Sequence, residues 1–559
     1  MKLFKKPLFL LILVALLATF IRTYNIGKVP QSLNWDEVAL GYNAFSVLKT
    51  GHDEYGKFLP VVLQSYDDYK PALYAYFVVP FVAILGLTEQ AVRLPSATAG
   101  VVAVVIVYFL VLELLGERKL KLFDHEVGVT TIALVTSLLL AISPWHIQFS
   151  RISFESNVGL TINLLAFLLF MKALKKPILL PLSFMVAALN IHMYQSERVF
   201  SPLLMIVLSL IFYKQLLRFK KWVFVSIIAA FIVALPLGLY ILTNNNALMR
   251  AKGVSIFSSQ ELVARSSRKL LQDDATGNTI GKILDNRRLE YGKAAVAGYI
   301  SHFDLNWLFI SGDIARHHAP FMGLLYLFEL PFLFVGIYAL IFLKIEKSHK
   351  LAFFAYFLLV PIPASITSGV PHAVRTLNFA WTWELFIALG FISYVLFVFN
   401  QKNKAKNYFF KLLTIIYLLF TILNISYFLN QYFVQLNYYD AKDWLYGYKQ
   451  AISYVSPMSR NYDKIVVENT SPLDQSYMFF LFYLKVDPAY YQSIGGTASG
   501  GFAEVHKGFY NYVFEPLSTE NEQGKVLLVG KPSDIPESLG KRKVILYPDG
   551  TPAIAIGEK

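Results

Sequence analysis

The chain of 559 residues is 56% hydrophobic and only 16% charged, with 46 Phe and 34 Tyr, and its mean hydropathy of +0.49 excludes an ordinary soluble domain. It holds no cysteine, which excludes disulfides and thiol catalysis. The formal charge of +14 is spread over short loops between apolar segments, a membrane pattern that argues against nucleic acid as a partner.

Lys2, Lys5 and Lys6 precede an apolar segment running from Pro7 to Tyr24. They hold that end in the cytoplasm, so the chain beyond Tyr24 emerges outside. The segment carries no small-residue cleavage site and many more spans come after it, so it reads as a retained first helix. A window of about 20 residues then places spans near 8–24, 94–115, 127–143, 158–174, 178–194, 201–217, 222–242, 320–343, 350–367, 378–398 and 410–431. The lysine- and arginine-rich loops fall on one side: Arg118, Lys119 and Lys121; Lys172, Lys175 and Lys176; Lys214, Arg218, Lys220 and Lys221; Lys344, Lys347 and Lys350; Lys402, Lys404, Lys406 and Lys411. Eleven helices, N-terminus inside and C-terminus outside, satisfy that bias throughout. Residues 72–87 are apolar enough for a short span, but counting them would invert every later loop. They are therefore expected to form an interfacial or re-entrant helix in the first external loop, with Pro80 in its middle.

Two longer hydrophilic regions remain, both external. Residues 243–319 form a mixed loop with a helical stretch from Gln260 to Leu271. Residues 432–559 read as a small soluble α/β domain, with buried strands at Lys464 to Val467 and Lys525 to Val529 and a turn at Pro548-Asp549-Gly550 before a final strand. The expected architecture is a polytopic all-α membrane domain over residues 1–431, with external loops at 25–93 and 243–319, joined to that external α/β domain.

The unusual polar groups all fall on the external side. Asp36 and Glu37 come after the first helix, beside Trp35, and Asp67, Asp68, Tyr69 and Lys70 lie further along the same loop. Arg151 and Glu155 mark the second loop, and His192, Tyr194, Glu197 and Arg198 the third. His302, Asp313, Arg316, His317 and His318 end the long loop; His372 and Arg375 lie in the next. Ionisable groups at membrane depth are expensive and usually face a cavity. Plainer readings stand beside this one. Asp36 and Glu37 also suit a solvated loop or the cap of a helix over Val38–Leu48. Arg151 and Glu155, at i,i+4, also suit a surface pair. Asp67, Asp68 and Lys70 also suit a surface charge cluster, and His317 and His318 the start of a span. The functional reading rests on their shared side.

Taken in order, these motifs resemble the membrane-embedded glycosyltransferases of the C superfamily (GT-C), especially the bacterial branch related to protein O-mannosyltransferases and lipid A aminoarabinose transferases. Trp35-Asp36-Glu37 is similar to that family's external Asp-Glu motif, and Tyr69-Lys70-Pro71-Ala72-Leu73-Tyr74 to its (His/Lys)-Pro-x-Leu-Tyr motif. Ser150-Arg151 with Glu155 resembles the second-loop arginine and acid, and Tyr194-Gln195-Ser196-Glu197-Arg198 before Pro202-Leu203 resembles a later Tyr…Arg…Pro-Leu pattern. The resemblance covers roughly residues 8–430. It implies a plasma-membrane enzyme whose active site faces outward and whose donor is a polyprenyl-monophosphate sugar. The acceptor would be a protein, lipid or glycan hydroxyl.

By this resemblance Asp36, with Glu37, is the catalytic acid pair, and Asp36 takes the proton of the acceptor hydroxyl. Lys70, Arg151, Arg198 and Arg375 would bind the donor phosphate. Glu155, Asp68, Tyr69, Tyr194 and His317 would bind or orient substrate. The second-loop acid is often Asp in the relatives and is Glu155 here, one methylene longer. Some aminoarabinose-transferase relatives hold a metal through an external carboxylate and histidine, a part open to His302, His317 or His318. No histidine spacing in this chain is diagnostic, so the expectation is no metal and no cofactor. A flippase for lipid-linked saccharides is a rival reading, without paired halves or repeats to support it. A polymerase or ligase using diphosphate-linked donors is another.

Overall fold

The computed structural model describes residues 2–116, 119–123, 125–498, 508–517 and 524–559; Arg118 of the first basic loop lies outside them. The chain divides into two compact units. One comprises Met1–Ile21, Gly100–Gln148 and Ser156–Ser426, the other Arg22–Ala99, Phe149–Glu155 and Tyr427–Lys559.

The first unit is a set of apolar helices. Among the described residues five helices are long and apolar enough to cross a bilayer: Glu89–Leu115, Glu155–Ala173, Tyr213–Thr243, Leu377–Phe399 and Ala405–Tyr439. A sixth forms if Val129–Ile142 and Pro144–Ser150 count as one span bent by 59°. The bend falls at Pro144, whose missing N–H cannot continue the helix. Shorter apolar helices occupy Pro7–Thr23, Pro177–Asn190 and Leu327–Phe342. Several expected spans are thus shorter than their apolar runs, because prolines such as Pro181 and Pro331 sit at helix starts. Helices Lys220–Thr243 and Lys404–Asn430 turn large side chains such as Phe231, Ile232 and Ile416 outward. Surfaces this apolar are at home in lipid and not in water.

Close approach inside this unit depends on two glycines. Helix Leu330–Phe342 meets helix Ala380–Phe399 where Gly336 faces Phe386 and Gly390 faces Phe332. A Cβ on either glycine would sit inside the facing backbone carbonyl, the small-residue contact that lets membrane helices touch.

In the second unit the first loop begins with helix Trp35–Thr50, which ends at Gly51 in the left-handed conformation, φ 74°. Strands β1 (Val62–Leu63) and β2 (Lys70–Pro71) then pair antiparallel and pinch off the six-residue turn 64–69. The next helix, Leu73–Leu85, has 13 residues with Pro80 inside. At 1.5 Å per residue it spans about 20 Å, short of a ~30 Å hydrocarbon core. A small hairpin, β3 (Lys119–Leu122) with β4 (His125–Gly128), belongs to the first unit.

The C-terminal region carries a mixed five-stranded sheet. Its strands are β5 (Lys464–Val467), β6 (Tyr512–Phe514), β7 (Val526–Gly530), β8 (Gly540–Leu546) and β9 (Pro552–Glu558), in the order β6-β5-β7-β9-β8. β5 runs parallel to β6 and β7, while β9 is antiparallel to β7 and β8. Every residue of the central β7 is buried, as a strand covered on both faces requires. Val466, Val526, Leu528, Ile535 and Ala555 form its core. The two expected strands and the turn before the last strand are all present.

The Gly336–Gly390 contact makes a firm expectation. Replacing Gly390 with Leu should lower the melting temperature of the detergent-solubilised chain, by overpacking on the order of 3 kcal/mol. Replacement of the exposed Phe399 with Leu should leave it unchanged. An unaltered melting curve for Gly390→Leu would mean the two helices do not touch there.

Candidate active site

Two polar constellations emerge, one in each unit. The first is built on the Asn34–Glu37 turn. Asn34 caps helix Trp35–Thr50: its Oδ1 accepts from the Glu37 N–H at 3.0 Å, and Glu37 Oε2 accepts from the Asn34 N–H at 3.1 Å. Glu37 is fully buried and bound by Arg93 through two parallel contacts, Nε to Oε1 at 2.8 Å and Nη2 to Oε2 at 3.0 Å. The Ser153 N–H adds a further bond to Oε1 at 3.0 Å. Arg93 in turn donates to the carbonyls of Ile26, Pro30 and Ser32. The cap is thus Asn34, two residues earlier in the chain than a cap at Asp36, and Glu37 is the third residue of the helix, its oxygens engaged on all sides.

Asp36, one residue earlier, points elsewhere. It pairs with Lys70 Nζ and its side chain is a quarter exposed. Asp68 Oδ2 lies 3.9 Å from the same ammonium, which also rests 5.5 Å from the centre of the Tyr66 ring. Burial works to lower the Lys70 pKa, but the carboxylates of Asp36, Asp68 and Glu155 outweigh it and raise it. Lys70 is thus a fixed cation. The turn that presents it is strained, with left-handed φ at Ser65, Tyr66, Asp67 and Tyr69, a conformation that non-glycine residues adopt only when their surroundings hold them. Tyr66 donates its hydroxyl to the Trp35 carbonyl at 2.9 Å, and Gln64 Nε2 donates to Asp67 at 2.7 Å. Tyr69 is buried.

Arg151 is fully buried, donates to the Val29 carbonyl at 3.0 Å and stacks 4.7 Å from the Phe433 ring centre. Arg22 and Arg93, both buried, lie within electrostatic reach of it. Three guanidinium groups thus gather at the turns that carry Asp36, Glu37, Lys70 and Glu155. The second unit brings together Asp36, Glu37, Asp68, Lys70, Arg151 and Glu155 as the sequence motifs suggest, and adds Arg22 and Arg93. In the sequence Arg93 reads only as the edge of a span, although an arginine ahead of an otherwise apolar run is the signal.

The other constellation lies in the first unit. Arg375 Nη1 donates to Thr367 Oγ1 at 2.6 Å and to the Ser368 carbonyl at 2.7 Å, and Tyr194 hydrogen-bonds the same guanidinium. Arg198 donates from Nε to the Ile191 carbonyl at 3.4 Å, with its Nη2 buried and unpartnered among the described residues. Its neighbour Glu197 is buried among amides: Asn163 at 2.6 Å and Asn378 at 2.9 Å. His317 Nδ1 lies 3.1 Å from Asp313 Oδ2, with the His372 ring centre 5.2 Å away. His302 accepts from the His372 N–H at 3.2 Å, and His318 bonds the Ala319 carbonyl.

No family model and no curated protein matches the chain. Solved structures do. ArnT from Cupriavidus metallidurans, in the apo state, aligns at TM-score 0.51 and 11% identity over 98% of this chain and 97% of that one. The same protein bound to undecaprenyl phosphate aligns at TM-score 0.54 and 10% identity over the same shares. The chain shares its fold with ArnT. The oligosaccharyltransferase of Archaeoglobus fulgidus, tethered with an acceptor peptide, aligns at TM-score 0.47 and 13% identity over 85% of this chain. The chain spans 63% of that oligosaccharyltransferase's length.

The first loop also holds a buried acid that no motif marks. Glu54 accepts from Asn43 at 3.1 Å, Thr497 at 2.9 Å and Tyr477 at 3.2 Å. Burial lifts its carboxyl to about 7, against the pull of those hydrogen bonds.

Both buried acids can be tested by stability. Arg93→Ala leaves the Glu37 charge buried without a partner and should destabilise the chain by about 3–5 kcal/mol, read as a large fall in melting temperature; a shift no greater than that of a surface substitution would contradict the burial. For Glu54 the sign is set by a raised carboxyl pKa. The protonated form is favoured in the fold, so its stabilisation is complete below the ordinary glutamate value of 4.5 and is lost as pH rises through about 7. Stability should fall over that window by on the order of 3 kcal/mol, and Glu54→Gln should flatten the fall in a pH series of melting curves.

Proposed function

We propose that this chain is an inverting glycosyltransferase, moving a sugar from a polyprenyl-monophosphate donor to an acceptor hydroxyl at the external membrane face. The observation that carries the proposal is the split between the two adjacent carboxylates: Glu37 is immobilised by Arg93, while Asp36 stays partly exposed beside a fixed cation. The fold shared with ArnT, a protein solved with undecaprenyl phosphate, supports a lipid-phosphate donor.

In this reading the chain crosses the membrane eleven times, N-terminus inside and C-terminus outside. Residues 1–431 form the catalytic membrane domain and 432–559 an external domain. Asp36 accepts the proton as the acceptor oxygen attacks the anomeric carbon. The bond from that carbon to the phosphate oxygen breaks, and polyprenyl phosphate departs with the electron pair. Lys70 and Arg151 stabilise the charge that develops on the phosphate, with Arg198 and Arg375 as further cations for the donor. Glu155, Asp68, Tyr69, Tyr194 and His317 orient substrate. One displacement inverts the anomeric configuration.

The test is sugar transfer by the purified full chain, given polyprenyl-monophosphate sugars and a cell-envelope extract. Release of polyprenyl phosphate should fall by about 10²–10⁴ in Asp36→Asn. Equal turnover in both would reduce Asp36 to a structural partner of Lys70. Turnover only with a diphosphate-linked donor would make the chain a polymerase or ligase, and movement of the lipid-linked sugar without transfer would make it a flippase.

A further inference from the structure

We propose that Asp313, His317 and His372 form a binding site for one divalent first-row transition ion, with zinc the first candidate, that clasps two loops of the first unit together. One ligand atom from each residue lies within 4.8 Å of the others. Two imidazoles and one carboxylate are a donor set suited to zinc, leaving a fourth position for water.

The surroundings hold these groups as a support shell would. Asp313 Oδ1 accepts from the Ile314 N–H at 2.8 Å and Oδ2 from the Ala373 N–H at 2.5 Å, so one carboxylate already bridges the two loops. The backbone at His372 is pinned by His302, whose Nδ1 bonds the Gly298 carbonyl at 2.6 Å while its Nε2 accepts from the His372 N–H. Trp145 donates to the Ala373 carbonyl at 3.2 Å. Such outer contacts orient metal ligands in known sites. Arg375, three residues on, is engaged by Thr367 and Ser368.

A hydrogen-bonded cluster without an ion does not account for all of this. Asp313 satisfies His317, but His372 Nδ1 is sealed from solvent with no hydrogen-bond partner among the described residues. Leaving such an atom unmet costs about 1–3 kcal/mol. A buried water would meet it too, but the convergence of a carboxylate and a second imidazole on the same small volume selects a cation. Zn–N bonds of ~2.0–2.1 Å imply a tetrahedral edge of roughly 3.3 Å; Asp313 and His317 already approach to 3.1 Å, so the ion would chiefly draw in the third group. The sequence did not reveal the site because His372 comes from a separate loop, and Asp313 with His317 alone is a common helical spacing. None of the three belongs to the first-loop constellation around Asp36.

The test uses the full chain purified without a histidine tag and loaded with Zn2+ or Co2+. Elemental analysis should find one equivalent of zinc per chain, and Co2+ should give the visible d–d bands of a nitrogen- and oxygen-ligated ion. His317→Ala and His372→Ala should each weaken the ion, in chelator competition, by more than the ~10–100-fold that a supporting residue costs. His318→Ala should leave binding unchanged. Sub-stoichiometric metal in the native chain, or binding that survives the loss of both histidines, overturns the proposal. Should the variants not survive extraction, the native chain decides alone. Zn2+ must then raise its melting temperature where Mg2+ does not, and the absence of that shift overturns the proposal as well. These readouts do not depend on transferase activity.

Discussion

The pairing of Glu37 with Arg93 is the constraint on which this part of the second unit depends. A guanidinium and a carboxylate, both without solvent, are tolerable only when every donor and acceptor finds a partner. Here they do. Arg93 distributes its donors over Glu37 and three carbonyls of the segment 26–32, and Glu37 accepts from Arg93, Asn34 and Ser153. Four stretches of chain are thereby tied at one point: the turn after the first helix, the start of helix Trp35–Thr50, helix Glu89–Leu115 and the segment 149–155. Asp36 owes its position to this knot. It precedes Glu37 on a capped helix whose register cannot slip without unpairing a buried charge.

That arrangement gives two neighbouring acids different chemistry. Successive residues on a helix point about 100° apart, so one carboxylate faces the protein interior and the other the Lys70 turn. Lys70 pairs directly with Asp36, and although burial works to lower the Lys70 pKa, the carboxylates of Asp36, Asp68 and Glu155 raise it. A carboxylate that is held in place and partly exposed suits a proton acceptor. Asp36 fits that description and Glu37 does not.

Much of this was legible in the sequence, for definable reasons. Hydropathy located the apolar helices because lipid demands continuous apolar surface. Asp36 and Glu37 signalled both a cap and a site, but the cap itself is Asn34, with Glu37 three residues on. Pro80 and the short apolar run around it matched a helix of 13 residues. Helix lengths were less legible, since Pro181 and Pro331 break apolar runs that hydropathy reads as whole. Arg93 and the Asp313–His317–His372 cluster escaped because their meaning lies in partners far along the chain. Glu197, read only as part of a motif, proves to be a buried carboxylate among Asn163, Asn190, Asn378 and Ser201.

The C-terminal region has a structural part in the second unit that its sequence did not disclose. Four left-handed residues in one turn carry strain of about 1–3 kcal/mol each, and an isolated two-residue ladder such as β1–β2 cannot hold it. Helix Ser476–Tyr483 supplies what is missing: the Tyr477 ring packs edge-on against Tyr66 at 6.2 Å, and its hydroxyl bonds Glu54 at 3.2 Å. Phe482 closes over Gly41, where a larger residue would force helix Trp35–Thr50 away. Thr497 completes the contact by donating to Glu54 at 2.9 Å. The same helix is anchored from behind by the stack of Phe479 on Tyr448, 4.2 Å between ring centres. The strained turn presenting Lys70 is therefore stabilised by a helix far along the chain, with 411 positions separating Tyr66 from Tyr477 (477 − 66). The C-terminal region thus acts as the buttress that holds the Lys70 turn in its strained conformation.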